Sequence, residues 1–435
     1  MDIIEIEING RYLDNMVINA KKLKDGVFIL ILLPLVLRFI TDNLGLPYSV
    51  NIVIDIYAIM LLLNTIYIKR QAFNRDIPKI IHVPIIVLIM GIFIGLFLNP
   101  ASITNIFFSI RPYFRLICAF FIAALCLDER DYIKLYRLIK FLIYLNVPIM
   151  LIQFFAFGLR QDIIGGTFGN TQGVNSIQNL LCIIAFAFAL ILYLDKRIKG
   201  MELCKVSACT ILIAALAEIT AYFVEAIIIT IIALVSFNST RMSTKKLVRF
   251  ISLIVFTLLV IIVGIKAYLR INPERAFLLS RNGVLEYLGA FQGSGGSTGV
   301  YRISRVNVFG QLTNKFFSAP FSSVFGMGLG NASSRSYFYS IYEPILKYDW
   351  LSSAITFLET GYWGVLSLAA FVLTIIISSK TTNENKSYKL FSRVMCVISV
   401  ILFFYNSTTR DYYTAFLLGI SMACGVGRDT RLFVK

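Results

Sequence analysis

Residues 175–200 read "NSIQNLLCIIAFAFALILYLDKRIKG". Nothing from Leu180 to Leu194 carries a charge, and then Asp195, Lys196, Arg197 and Lys199 follow at once. With its polar but uncharged start, the run over 174–194 has the length of a helix that crosses hydrocarbon, about 20 residues. Loops rich in Lys and Arg stay in the cytoplasm. The stretch therefore predicts a transmembrane helix with its C-terminal end inside.

Working outward, similar apolar runs fall at 26–41, 50–68, 80–98, 107–127, 139–157, 206–220, 222–238, 250–268, 351–378, 394–409 and 411–426. Basic residues mark every second junction. Lys21, Lys22 and Lys24 precede the first run, and Lys69, Arg70, Arg75 and Lys79 follow the second. The alternation continues at Arg130/Lys134/Arg137/Lys140, at Arg241/Lys245/Lys246/Arg249, at Lys380/Lys386/Lys389/Arg393 and at Arg428/Arg431. The expected fold is an all-α polytopic membrane protein of about 12 helices, with both termini cytoplasmic. It forms one membrane domain over 1–435, and no internal repeat is visible.

Composition points the same way. The chain has 435 residues, 58% hydrophobic and 15% charged, with a mean hydropathy of +0.78. A soluble domain carries more charge. The beginning, "MDIIEIEINGRYLDNMVINAKKLKDG", is long and acidic for a cleavable signal, so Val27 onward reads as the first permanent span. The net charge of +17 is what basic cytoplasmic loops produce, and no nucleic-acid partner is expected. Cys118, Cys126, Cys182, Cys204, Cys209, Cys396 and Cys424 lie in or beside apolar runs without a CxxC pair, so they read as small packing residues.

One external connection is long. Residues 269–350 hold Arg270, Arg275, Arg281, Arg302, Arg305, Lys315, Arg335 and Lys347 against Glu274, Glu286, Glu343 and Asp349. Such an excess suits an anionic partner outside the membrane. Gly293 to Gly299, "GSGGSTG", reads as a flexible joint. Arg302 and Arg305 would share one face if helical, and the guanidinium fork suits phosphate oxygens. An arginine pair at the lipid headgroups is the plainer alternative. The turn "FGMGLGN", Phe325 to Asn331, lets backbone approach a ligand, although such a glycine pattern alone is a weak signal.

Charged residues also fall inside the apolar runs, where they are costly and become functional candidates, with structural ion pairs as the rival reading. They are Asp55, then Arg111 and Arg115 in "SIRPYFRL", Glu218 and Glu225 around the hairpin "AEITAYFVEA", Glu359 in "LETGYWG", and Arg410 with Asp411. Most are expected near the outer leaflet. His82 is the only histidine and falls at a cytoplasmic end. An external zinc site, a dense Mg²⁺ carboxylate set and a histidine-dependent triad are therefore not expected, and neither is any cofactor. There is no P-loop for ATP-driven transport.

The order of these features resembles the superfamily of O-antigen and capsule polymerases (Wzy-type) and O-antigen ligases of bacterial membranes. It consists of "GGTFGNTQGVNS" (Gly165 to Ser176) entering a span, a tight hairpin two helices on, a long arginine-bearing loop, "FGMGLGN", and "LETGYWG". The resemblance implies a glycan on undecaprenyl diphosphate as donor, transferred to an acceptor hydroxyl outside the plasma membrane. It implies that Arg302 or Arg305 takes the place of the loop arginine, and that Gly326, Gly328, Gly330 and Asn331 take that of the glycine turn. Glu359 and Gly361 match the glutamate and glycine that follow. Ligases carry a histidine shortly before that motif. Here "KYDWLSSAITFLETG" has Asp349 and Trp350, which favours a polymerase. Expected catalytic residues are Arg302, Arg305, Glu359 and Asp349. Expected substrate contacts are Arg281, Arg335, Arg410, Arg111, Arg115, Asn170, Gly328, Gly330, Asn331, Glu218 and Glu225. A chain-length regulator and a flippase are expected partners beside the lipid bilayer. A lipid-linked oligosaccharide flippase, kept open by Asp55, and a ligase or peptidoglycan-type polymerase remain as other readings.

Overall fold

The structure is a computed structural model describing residues 21–41, 45–69, 82–237, 301–317, 320–332, 346–378 and 386–426, with short pieces between 262 and 283. It is helical almost throughout. Helix α1 covers 21–41. Then come α2 (Ile52–Ile68), α3 (Val83–Phe93, extended by a π turn Ile94–Leu98), α4 (Ile103–Cys126) and α5 (Glu129–Phe155). They are followed by α6 (Asn175–Leu194), α7 (Gly200–Leu216) and α8 (Thr220–Phe237). After the long connection come α9 (Val308–Phe316), α10 (Pro320–Phe325), α11 (Ser352–Ser378), α12 (Lys386–Tyr405) and α13 (Thr414–Met422).

Among the described residues six helical stretches are long and apolar enough to cross a membrane: Ser49–Ile68, Ile103–Cys126, Glu129–Phe155, Asn175–Leu194, Ser352–Ser378 and Ser387–Tyr405. Val83–Leu98 and Thr220–Ser236 are shorter and apolar. The chain is thus a polytopic all-α protein with several helices suited to lipid, rather than a demonstrated set of twelve. Most of the expected ninth span, 250–268, lies outside the described residues, although 262–266 and 268–271 are helical.

Two helix starts differ from the apolar runs for a clear reason. Helix α5 begins ten residues before its run, because Asp128 and Asp131 form a reciprocal capping box at its N-terminus. Ser102 accepts a hydrogen bond from Asn105 N and so starts α4 ahead of its apolar residues. Capping residues are polar, so hydropathy overlooks them.

Helix α6 is the axis of the bundle. It is buried nearly all round, against α5, α7, α8, α12 and α13. Phe188 stacks on Phe391 of α12, ring centroids 3.6 Å apart. A helix apolar on every face belongs at the centre of a bundle. Helix α4 packs on α2 and α13. Small residues let it approach closely: a Cβ on Gly419 of α13 would lie 2.5 Å from the Leu116 carbonyl oxygen.

Charge separates the two ends of the bundle. At one end Lys24 meets Asp128 (2.5 Å) and Asp131 (2.7 Å), Lys140 meets Glu202 (2.5 Å), and Arg197 meets Asp195 (2.6 Å). The other end carries the connections 156–174, 217–219 and 406–413 and the described stretches 301–317, 320–332 and 346–350. The described part of the 269–350 connection is folded onto the bundle. β1 (Tyr301–Arg302) pairs in parallel with β2 (Leu346–Lys347), and α9 packs Val308, Leu312 and Phe316 into a core with Tyr348, Phe357 and Leu358. The helical pairing considered for Arg302 and Arg305 is therefore corrected. Arg302 lies in β1 and Arg305 in a bend before α9, because Ile303 N donates to the Lys347 carbonyl at 3.2 Å.

Candidate functional site

At the loop-bearing end, α4 carries two pairs of polar residues spaced four apart. Residues i and i+4 share a helix face, and a step of two residues turns roughly 200°. Arg111 and Arg115 thus face one way while Ser109 and Tyr113 face the other. Each pair meets a carboxylate from a distant helix.

The arginine pair holds Asp55 of α2. Arg111 Nε donates to Asp55 Oδ2 at 2.5 Å. Arg115 reaches both carboxylate oxygens, Nε to Oδ1 at 2.7 Å and Nη2 to Oδ2 at 2.9 Å. That is the fork geometry in which a guanidinium binds most strongly. Arg115 Nη1 also donates to the Arg410 carbonyl at 3.3 Å, tying the 406–413 turn to α4.

The other face holds Glu359 of α11, which is 0% exposed. Ser109 Oγ donates to Oε1 at 2.7 Å, Tyr113 Oη to Oε2 at 2.9 Å, and Gly330 N to Oε1 at 3.3 Å. Arg410 Nη2 stands 3.7 Å from Oε2. The Arg410 guanidinium carbon lies 4.4 Å from the Tyr113 ring centroid, a cation–π arrangement. Arg410 is 7% exposed, and its Nη1 is buried without a hydrogen-bond partner.

The glycine turn has a structural explanation. Helix α11 breaks at Gly361, with φ 61° and ψ −160°, a conformation open essentially to glycine alone. The break frees two carbonyls of the preceding turn. Leu358 O accepts from Met327 N at 2.7 Å, and Glu359 O from Gly328 N at 3.0 Å. The turn then crosses α3, where Leu329 N donates to Gly91 O at 2.9 Å. Gly328 has φ +85°, and a Cβ there would meet Gly95 N at 2.3 Å. Turn, α3 and broken helix thus interlock and present Gly330 N to Glu359. The close approach expected of these glycines is made to the protein's own backbone. Asn331 Nδ2 donates to the carbonyls of Met327 (2.7 Å) and Asn99 (3.0 Å).

The segment "GGTFGNT" is held at the same end. Gln153 Oε1 accepts from Gly166 N, and Asn146 Oδ1 from Thr167 N, each at 2.8 Å. Gln178 Nε2 donates to Asn146 Oδ1 at 2.7 Å and to the Gly165 carbonyl at 2.5 Å. Gly166 has φ +57°, and a Cβ there would lie 2.0 Å from Asn146 Oδ1. Arg38 Nη2 donates to Thr171 Oγ1 at 2.8 Å, and the Phe168 ring packs on Tyr413. Asn170, a proposed substrate contact, is exposed.

The remaining expected residues are dispersed. Arg305 sits in an aromatic clamp, 4.4 Å from the Trp350 ring centroid and 4.8 Å from that of Tyr405, with Nε donating to the Tyr405 carbonyl at 3.1 Å. Asp349 Oδ1, next to that clamp, is buried without a hydrogen-bond partner. Glu218 is buried at the hairpin with φ 54°, and Glu225 is buried within α8. Arg281, Arg335 and the side chain of Arg302 lie outside the described residues.

The structure therefore brings together Arg111, Arg115, Arg410 and Glu359 from the expected set, with Asp55. Sequence reasoning missed Ser109, Tyr113 and Arg38. The i, i+4 spacing of Ser109 and Tyr113 was the available signal. Among the described residues no group of three or more metal-ligating side chains occurs. No protein-family model matches the chain, and no curated protein is significantly similar to it.

Proposed function

We propose that the protein is a bacterial membrane glycosyltransferase that polymerises undecaprenyl-diphosphate-linked repeat units. On this reading it crosses the plasma membrane twelve times with both termini inside, and the site described above faces outward. The observation that supports it best is an excess of cation in a largely buried cluster. Three guanidiniums, Arg111, Arg115 and Arg410, share two carboxylates, Asp55 and Glu359, and Arg410 Nη1 has no partner. Buried positive charge calls for an anion, and a lipid diphosphate supplies one.

In the transfer, an acceptor hydroxyl oxygen attacks the anomeric carbon, and the bond to the diphosphate oxygen breaks with its electron pair. Fixed guanidinium charge stabilises the leaving diphosphate as its charge develops. Arg410 is the residue with donor capacity to spare. Glu359 already accepts three hydrogen bonds, which suits it to orienting Arg410 and the glycine turn. The hydroxyl proton passes to a base that the acceptor brings within reach, since Asp349, expected in that role, lies beside the Arg305 clamp rather than in this cluster. The transporter reading drew on Asp55 as an intramembrane charge expected to have a partner, and that partner is the arginine pair of Arg111 and Arg115.

The test uses purified protein and lipid-linked repeat units. Arg410→Ala should slow polymer formation about ten- to a hundredfold, the effect of losing about 1.5–3 kcal/mol of a charge-assisted contact. Arg410→Lys should recover part of this, keeping the charge without the fork. If folded Arg410→Ala protein, verified by gel filtration, polymerises at the wild-type rate, the reading fails.

A further inference from the structure

A second buried acid lies apart from this cluster. Glu225 is on α8, six residues beyond the 217–219 hairpin, and is 1% exposed. Among the described residues its only hydrogen bond comes from Asn179 of α6, Nδ2 to Oε2 at 2.9 Å. Asn179 is likewise 1% exposed. The other oxygen of each side chain, Glu225 Oε1 and Asn179 Oδ1, is buried without a hydrogen-bond partner. Two touching side chains thus leave two buried oxygens without a hydrogen-bond partner.

Among the described residues no cation compensates. The described elements against α8 are α6, α7, α12 and the helical piece at 262–271. Their titratable or charged side chains are Cys182 and Tyr193 on α6, Glu202, Cys204, Lys205 and Cys209 on α7, Tyr388, Lys389, Arg393, Cys396 and Tyr405 on α12, and Lys266, Tyr268 and Arg270 on the piece. Tyr222 and Glu218 belong to α8 and its hairpin. None of them hydrogen-bonds or ion-pairs with Glu225; Tyr222, for one, bonds Thr210. An ionised carboxylate held by a single amide in such surroundings is far costlier than a neutral one.

One proton resolves both orphaned atoms. On Glu225 Oε1 it makes a hydroxyl that donates to Asn179 Oδ1, while the amide already donates to Oε2. The result is a paired acid–amide ring with every atom satisfied. We propose that Glu225 and Asn179 form an intramembrane proton-binding site that fastens α6 to α8 when loaded. A metal ion fits less well, since hard cations want about six oxygens. The neighbouring Gln178 holds Asn146 and the Gly165 carbonyl, so the proton sits one residue from the latch on the 165–171 segment. This inference stands on different residues from the proposed transferase site.

The test compares wild-type full-length protein with Glu225→Gln in detergent. Gln reproduces the neutral pair, its amide donating to Asn179 Oδ1 and its carbonyl accepting from Nδ2. The wild-type infrared spectrum at pH 7 should contain a neutral-carboxyl carbonyl stretch that Glu225→Gln lacks. The wild-type melting temperature should match that of Glu225→Gln at about pH 4 and fall progressively below it as pH rises above the ordinary carboxyl range. The sign follows because the folded state alone holds the proton, so stability present at low pH is lost as pH rises. Absence of that infrared difference would overturn the proposal. So would loss of the band when sodium replaces choline, which marks a cation site, or failure of Glu225→Gln to fold.

Discussion

Replacing Glu359 by Gln alters few atoms but confronts a shell made entirely of donors. Ser109 and Gly330 donate to Oε1, while Tyr113 and the Arg410 guanidinium face Oε2. Hydroxyls can turn and accept, but Gly330 N–H and Arg410 cannot. The new NH₂ therefore opposes one of those two, whichever way the amide is placed. Losing a hydrogen bond to a charged group costs about 1.5–3 kcal/mol. Arg410, left in a buried site without its carboxylate, adds toward the 3–5 kcal/mol seen when one partner of a buried pair is removed. A destabilisation of about 3–5 kcal/mol is expected for Glu359→Gln, measured by denaturant unfolding in detergent micelles. The double variant Glu359→Gln/Arg410→Met should regain at least 1 kcal/mol of this, because no unpaired charge remains. If Glu359→Gln unfolds within about 0.5 kcal/mol of wild type, or the double variant merely adds the two losses, the donor-shell account is wrong.

Gly361→Ala should destabilise by more than the 1–3 kcal/mol of an unfavourable backbone region, because its Cβ would also lie 2.4 Å from the Val324 carbonyl; an unfolding curve unchanged from wild type would contradict the break in α11. Arg302→Ala and Arg305→Ala, with their Lys counterparts, separate anchoring from chemistry: polymer length in cells at equal protein levels should drop for Ala, and Lys at 305 should restore little, given the planar stacking on Trp350 and Tyr405. A cysteine at Ser297 should react with an impermeant thiol reagent in intact cells while one at Asn383 stays protected; the reverse pattern inverts the topology.

The helices were legible because hydrocarbon-length apolar runs and alternating basic loops are local signals. Their capped starts were not, since Asp128, Asp131 and Ser102 look like loop residues until the turn they close is formed. The charges were legible singly. Asp55 demanded a partner, and Arg111 and Arg115 were noted as a pair. What the chain order conceals is the match between them. Asp55 lies 60 residues from Arg115, and Ser109 lies 250 from Glu359. Such contacts depend on which helices become neighbours, which periodicity does not encode. The glycine turn was read as a place where backbone can approach a ligand, on a weak signal; Gly95, Gly91 and the break at Gly361 show it packed closely on the protein's own backbone. Resemblance to a family pointed at Glu359 without revealing that its oxygens are already engaged.

The burial of α6 has a consequence for how the chain is made. Its neighbours are synthesised on both sides of it: α5 before, and α7, α8, α12 and α13 after. Helices enter a bilayer as independent units and assemble later, so α6 inserts early, with Gln178 able to meet Asn146 of α5 at once and Asn179 left unmatched. Asn179 meets Glu225 as soon as α8 arrives, but Phe188 gains its stacking partner only with α12. A chain stopped after α11 would keep its hydropathy yet leave this helix bare on one side. Such truncations should be targets for membrane quality control, and the C-terminal helices act as the closing piece of biogenesis.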